Sequence, residues 1–451
     1  MAILNFKHMP IHNPQIECMS LLKQKAMQLK LLKKTLQFAY DKSPFYKNKF
    51  KGAEVSPKNF KTLDDIRKFP FTTKYDILDH NDEFLTKPKN KMLRVFSSSG
   101  TTTKGKFFYL DSKDYDEYLK CCVDCFYGIG LRSGDDIVSI MIHLGLTVAG
   151  IGIGVMSFQK MGVLAIPFGL VSDAKLAASY MKQIGSNVIY GATAQVCSFT
   201  EELQKMKYNL KQEFNIEKMI VSGSILPPRL RHNLEQAWGA EVYETYGTSE
   251  AGRTGFECQY HNGFHTFPNY VYFEFLDEKT GQPVKDGERG DIVFTILKRD
   301  SMPLIRYKIN DIAAFSTKKC KCGRTSLRIL GPLARAEERI VFKGFYKLYD
   351  HQINEVLHNY QDVSFDWQIL IEDEEGKNTF TLKIETEKAT TKTKKAIEAD
   401  LIRCCESVSR GVVSGNILPP KVDFIKQGTL ERNPLRKIRN RIVDKRKYKF
   451  Y

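Results

Sequence analysis

The chain has 451 residues, 42% hydrophobic and 27% charged, with ten cysteines and a net charge of +17. That length supports a large core and two to three domains; the irregularly spaced cysteines and a Met1–Pro10 segment without a sustained apolar run exclude a secreted disulfide scaffold and predict a reducing cytoplasm. The charge sits at the two ends, ten Lys against two acidic residues in 1–51 and ten Lys and Arg against two in 426–451, which argues against a nucleic-acid-binding face. In chain order, the first predicted element is a helix that buries Met19, Leu22, Met27, Leu29 and Leu32 and leaves Lys23, Lys25, Lys30, Lys33 and Lys34 solvated. A short apolar run (Met92, Leu93, Val95, Phe96) and a strand at Phe107 to Leu110 flank a hydroxyl-rich loop. Residues Ile137 to Phe158 are apolar for about the length of a membrane span, but Ser139, His143, Thr147 and four glycines make them a buried strand, a glycine-rich turn and a close-packed helix, with no membrane partner.

Strand-like runs at Ile137–Ile142, Val163–Ile166, Asn187–Tyr190, Met219–Val221 and Glu241–Tyr243 alternate with helical patterns such as Asp173–Ile184 and Pro228–Trp238, which predicts a parallel α/β layer. Period-two runs at Tyr270–Leu276 and Asp291–Leu297 predict an antiparallel hairpin. After Gly344 a small α+β unit is expected: a helix near His351–Tyr360, strands at Phe365–Glu372 and Asn378–Glu385, and a helix at Thr391–Ser407. The fold class is therefore α/β, a large N-terminal domain with parallel sheets and an antiparallel β subdomain (residues 1–336) followed by a small α+β domain (337–451).

The loop Ser97–Lys106 gathers six hydroxyls, two glycines and two lysines. Glycine lets backbone N–H groups close around an anion, hydroxyls add donors and lysine adds charge, so this loop suits polyphosphate. It joins two strands, so it is not a Walker A loop, which opens a helix. A second pattern concerns metal. Cys320-Lys321-Cys322 with Cys258 and either His261 or His265 offers three sulfurs and one imidazole, a closed tetrahedral set suited to structural zinc, with His265 preferred. Cys121, Cys122, Cys125, Cys404 and Cys405 are expected to be core thiols.

Four blocks follow one another: Ser98-Ser99-Gly100-Thr101-Thr102-Thr103-Lys104, then Tyr243 to Glu250, then Pro303 to Asp311, then Arg335 to Gly344. Their order and spacing resemble the acyl-adenylate-forming enzymes, in particular the phenylacetate-CoA ligase-like branch, and Ser43 to Tyr46 and Phe69 to Lys74 resemble that branch's N-terminal segments. The resemblance implies ATP, Mg²⁺ and a carboxylic acid, aryl by default, which is activated as an acyl-adenylate. The acyl group then passes to CoA, an acidic carrier protein or an amine; AMP transfer to a cofactor and a non-catalytic scaffold remain alternatives, and a homodimer is left open.

By the same resemblance Ser98 to Lys104 hold the β- and γ-phosphates, Thr248 and Glu250 meet the α-phosphate and Mg²⁺, and Asp311 accepts from the ribose hydroxyls. Gly223, Ser224, Glu244, Tyr246, Gly247 and Arg335 complete the nucleotide site. Thr103, Asn310 and Ser224 depart from the family's glycine, glycine and glutamate. Glu337 is the expected hinge about which the small domain turns. Lys437, with Arg436 as rival, is the expected adenylation lysine. His143 and Gly145 border the acyl pocket, or His143 is a satisfied core histidine. Some branch members have the cysteine and histidine arrangement described above.

Overall fold

The computed structural model describes residues 11–97, 105–145, 148–224, 226–335, 340–344, 346–432, 438 and 440–446, the side chains of 148, 151, 332 and 335 excepted. Two compact units form, one from Met1–Ile225 with Leu234–Gly331 and the other from Leu226–Asn233 with Pro332–Tyr451.

In the large unit β1 (Arg94–Ser97) and β2 (Phe107–Leu110) make an antiparallel pair of their own. The main strands are β3 (Ile137–Met141), β4 (Leu164–Pro167), β5 (Val188–Ala192), β6 (Lys218–Ser222), β7 (Glu241–Thr248), β8 (Gly252–Phe256), β9 (Phe264–Thr266), β10 (Val271–Leu276), β11 (Arg289–Ile296), β12 (Tyr307–Ser316) and β13 (Arg328–Arg335). They form one eleven-stranded sheet ordered β10-β11-β12-β13-β9-β8-β7-β6-β5-β3-β4. Strands β3 to β7 pair in parallel because helical crossovers join each to the next, whereas the short β7–β8 connection reverses the chain and begins the antiparallel half. The parallel layer and the antiparallel region are therefore continuous.

Two local expectations change in this unit. The glycine-rich stretch after β3 is not a turn but π-helical over Val148–Val155, leading into the helix Met156–Met161. Small residues permit this: a Cβ at Gly154 would lie 3.1 Å from Tyr190 Cε1, and one at Gly150 2.2 Å from the His143 carbonyl. The first long helix, Leu21–Lys42, buries Leu32, Thr35, Leu36 and Ala39, while Leu22 is 80% exposed, so its inner face lies further along than predicted. No described helix is long and apolar enough to cross a membrane.

The small unit contains β14 (Ile340–Val341), β15 (Lys347–Leu348), β16 (Trp367–Glu374), β17 (Lys377–Glu385), β18 (Lys421–Ile425) and β19 (Ile442–Asp444), with a four-stranded sheet ordered β18-β17-β16-β19. Its core follows the sequence period: Trp367, Ile369 and Ile371 alternate inward on β16, Phe380, Leu382 and Ile384 on β17, and Ile397 and Leu401 project one helical turn apart. The predicted helix Thr391–Ser407 breaks at Cys405, whose extended backbone separates Thr391–Cys404 from Glu406–Val413. Cys405 is buried as expected, but Cys404 is exposed and is not a core thiol.

Candidate active site and candidate metal centre

The phosphate-loop residues Ser98, Ser99, Gly100, Thr101, Thr102, Thr103 and Lys104 lie outside the described residues, but both ends of the loop are held. Ser97 pairs with Phe107 across β1–β2, and Lys106, next to Phe107, is delivered beside Glu250. Lys106 Nζ is 2.9 Å from Glu250 Oε1, and the Tyr307 hydroxyl donates to the same oxygen at 3.2 Å. Glu250 is 7% exposed, and its carbonyl accepts from Arg299 Nη1 at 2.6 Å. Neither Lys106 nor Tyr307 was singled out from the sequence; Lys106 closes the hydroxyl-rich loop and Tyr307 stands four residues before Asp311, so position was the available signal.

Tyr246, Gly247 and Thr248 close β7, with a register shift between Tyr246 and Gly247. Glycine is required there by close approach: a Cβ at Gly247 would sit 2.6 Å from the Gly252 carbonyl. The bulge aims the Tyr246 hydroxyl at Asp311, to which it donates at 2.7 Å. Asp311 is buried on β12 and follows Asn310, which has φ +66°. Asparagine tolerates this left-handed conformation, as glycine would. Thr248 Oγ1 accepts from the Ala251 N–H at 3.1 Å and so rigidifies the turn that presents Glu250.

Arg306, on the same block as Asp311, fixes the N-terminal segment. Its Nη2 lies 2.8 Å from Glu274 Oε1, its Nη1 donates to the Phe69 carbonyl at 2.7 Å, and its carbonyl accepts from the Thr72 N–H at 3.0 Å. Gly223 has φ +86°, and the neighbouring Ser224 carbonyl accepts from Thr193 Oγ1 at 3.3 Å. Glu244 is buried, and its N–H donates to Glu257 Oε2 at 2.7 Å. His143 Nδ1 accepts from the Gly145 N–H at 3.1 Å, at the entrance to the π-helical segment. Arg335 ends β13; Glu337, expected as the hinge, and the lysine candidates Lys437 and Arg436 lie outside the described residues.

The approach to those lysine candidates is ordered within the small unit. Glu385, 1% exposed, accepts from the Leu430 N–H at 2.7 Å and from Arg432 Nη2 at 2.6 Å. Burial opposes its ionisation, but Arg432 and the N–H groups of Leu430 and Gly428 outweigh it and hold the carboxyl below its ordinary value. The basic tail beyond is less free than its sequence suggests. Arg446 is 5% exposed, paired with Asp444 at 2.7 Å and donating to the Val341 carbonyl at 2.8 Å. Arg441 stacks over Trp367 at 3.9 Å.

The sulfur and nitrogen atoms of Cys258, His265, Cys320 and Cys322 all lie within 4.8 Å of one another. Cys258 Sγ is 3.8 Å from Cys320 Sγ, and Cys322 Sγ is 3.4 Å from His265 Nε2. The β9–β13 ladder sets His265 opposite Arg328, and Ser326 Oγ is 3.4 Å from Nδ1, which leaves Nε2 facing the thiols. Burial lowers the pKa of His265, favouring the neutral imidazole that a metal requires. His261 is engaged elsewhere, 3.1 Å from Glu257 and against the Tyr243 ring.

Residues 346–446 match the family model of the AMP-binding enzyme C-terminal domain. The chain is 26% identical to a phenylacetate-coenzyme A ligase of Thermus thermophilus over 97% of this chain and 100% of that protein. It is also 26% identical to the phenylacetate-coenzyme A ligase of Escherichia coli, over 82% of this chain and 84% of that one. Its fold is similar to that of a 2-hydroxyisobutyryl-CoA ligase crystallised with an acyl-adenylate in the postadenylation state, with a TM-score of 0.82, 21% identity and coverage of 96% of this chain and 91% of the other.

Proposed function

We propose that this chain is an AMP-forming acid–thiol ligase that activates a carboxylic acid with ATP and passes the acyl group to coenzyme A. The observation that carries this reading is the convergence of blocks far apart in sequence: Lys106, Glu250 and Tyr307 meet at one carboxylate oxygen, and Tyr246 reaches Asp311. Full-length similarity to phenylacetate-coenzyme A ligases supports it.

A carboxylate resists thiols because oxide is a poor leaving group; joining it to AMP makes a mixed anhydride from which AMP departs readily. In this reading Ser98 to Lys104 cradle the departing pyrophosphate, Asp311 accepts from the ribose hydroxyls, and Lys437 stabilises charge as the carboxylate attacks the α-phosphorus. Glu250 offers the hard oxygen that Mg²⁺ prefers, completed by phosphate oxygens and water. Its ion pair with Lys106 keeps that buried carboxylate neutralised until nucleotide enters. Glu337 would be the pivot between the two half-reactions.

Cys258, His265, Cys320 and Cys322 fit zinc by donor type and number, and with no open position such a site is structural. It would clamp the β8–β9 connection to the Cys320–Cys322 knuckle. Ten free cysteines accord with a reducing cytoplasm. The test is acid-dependent ATP–pyrophosphate exchange together with product analysis after CoA is added: AMP and acyl-CoA are expected. ADP as product, or exchange indifferent to every acid, overturns the reading.

A further inference from the structure

Arg253 stands on β8 opposite Gly247 and is 1% exposed. Its Nη2 donates to the Tyr190 hydroxyl at 3.1 Å, Nε and Nη1 are buried without an oxygen or nitrogen partner, the Cys125 thiol is the one further side chain in hydrogen-bonding reach of the guanidinium among the described residues, and no described carboxylate pairs with it. The rings of Phe126 and Tyr190 lie 5.2 and 5.6 Å from the guanidinium, and the titratable groups that act on it most are the hydroxyls of Tyr190 and Tyr118 and the thiols of Cys122 and Cys125. Burial pushes the Cys125 thiol up to about 12 and raises that of Cys122, so neither supplies a counter-charge. The buried hydroxyls of Tyr118 and Ser157 likewise have no oxygen or nitrogen partner, and both lie in hydrogen-bonding reach of the Cys122 thiol.

A buried ion costs several kcal/mol in desolvation, and a guanidinium cannot escape that cost by losing its proton. Contact with aromatic faces recovers about 2 kcal/mol. Unmet N–H donors and hydroxyls gathered around one cation therefore describe half of an anion site. Its location identifies the other half. Tyr190, which accepts from Arg253, donates to the Ala149 carbonyl at 3.1 Å, in the π-helical segment that follows His143 and Gly145. Across the β7–β8 ladder Arg253 pairs with Gly247, which lies between Tyr246 and Thr248 of the candidate nucleotide site.

We propose that Arg253 recognises a second carboxylate on the acid substrate, at the end remote from the carboxyl group that is adenylated. The inference rests on the ligase reading and names its substrate class: a dicarboxylic acid in place of the simple aryl acid expected by resemblance. Tyr190, Tyr118 and Ser157 supply hydroxyls to the same group.

The experiment compares acids that differ only in the distal carboxylate, 4-carboxyphenylacetic with phenylacetic acid and adipic with hexanoic acid, by hydroxamate trapping with wild type and Arg253→Met. Wild type should favour the diacid of at least one pair by about 100-fold or more in kcat/KM, as sites built around a buried polar partner do, and Arg253→Met should abolish or invert that ratio. A wild-type ratio near one, or a ratio unchanged in the variant, overturns the assignment while leaving the ligase reading intact. Should the variant fail to fold, the wild-type ratio decides alone. If no acid is activated, the ligase reading has failed, and titration calorimetry with adipate decides for Arg253: binding to wild type that is lost in Arg253→Met supports the anion site, and its absence in wild type removes it.

Discussion

Tyr246 and Lys106 are the two side chains on which the candidate nucleotide site turns. Tyr246 adds one hydrogen bond to a buried carboxylate, an interaction worth about 1.5–3 kcal/mol when the acceptor is charged. Tyr246→Phe should therefore raise KM for ATP roughly tenfold, as measured by pyrophosphate exchange, while the fold persists; an unchanged KM would separate Asp311 from nucleotide binding. Lys106→Met leaves Glu250 uncompensated in a buried setting, where breaking an ion pair costs about 3–5 kcal/mol at full burial and less here, with Lys106 17% exposed. The nucleotide-free variant should melt several degrees lower than wild type, and Mg²⁺ with ATP should restore more of the loss than it adds to wild type. Equal shifts in both proteins would show that Mg²⁺ does not take the place of Lys106 at Glu250.

At the scale of elements, two side-chain constellations secure loops that lack regular structure. Cys320→Ser should lower zinc content and thermal stability together, from about one zinc per chain, without abolishing exchange in the folded fraction. Acidification should release the metal, because its thiolates must be deprotonated to bind. Protein purified without chelator and free of zinc would dismiss the site. Glu385 secures the chain that leads to Lys437. Its folded pKa is depressed, so its stabilising contribution is present above the unfolded value and is lost as pH falls through the folded one. Glu385→Gln should remove that acid-side loss of stability in urea melts and slow adenylation; identical pH profiles for variant and wild type would rule the anchor out.

For the whole molecule the prediction concerns the two half-reactions. Lys437→Ala should abolish adenylate formation and spare thioester formation from a supplied acyl-adenylate, because the proposed turn of the small domain withdraws that lysine for the second step. Equal loss of both would point to misfolding or to Arg436. The basic tail is not a uniform attractor for the acceptor: Arg441 and Arg446 are committed to packing and ion pairing, so neutralising either would act first on stability.

Local pattern alone determined much of this protein. Helix and strand periods located β3 to β7, the β10–β11 hairpin and the core strands of the small unit, because residues one turn or two positions apart must share a face whatever lies elsewhere. The blocks around Glu250 and Asp311 were singled out in a different way, by the resemblance of their order and spacing to those of the acyl-adenylate-forming enzymes and not by local period. Tertiary structure decided what depends on residues distant in sequence. Only the antiparallel return at β8 brings Arg253 under Tyr190, and only the β1–β2 pairing sets Lys106 on Glu250. His265 is distinguished from His261 by the β9–β13 ladder, and Cys404 is separated from Cys405 by a helix break. In each case the deciding quantity is burial or a long-range contact, which no run of neighbouring residues contains.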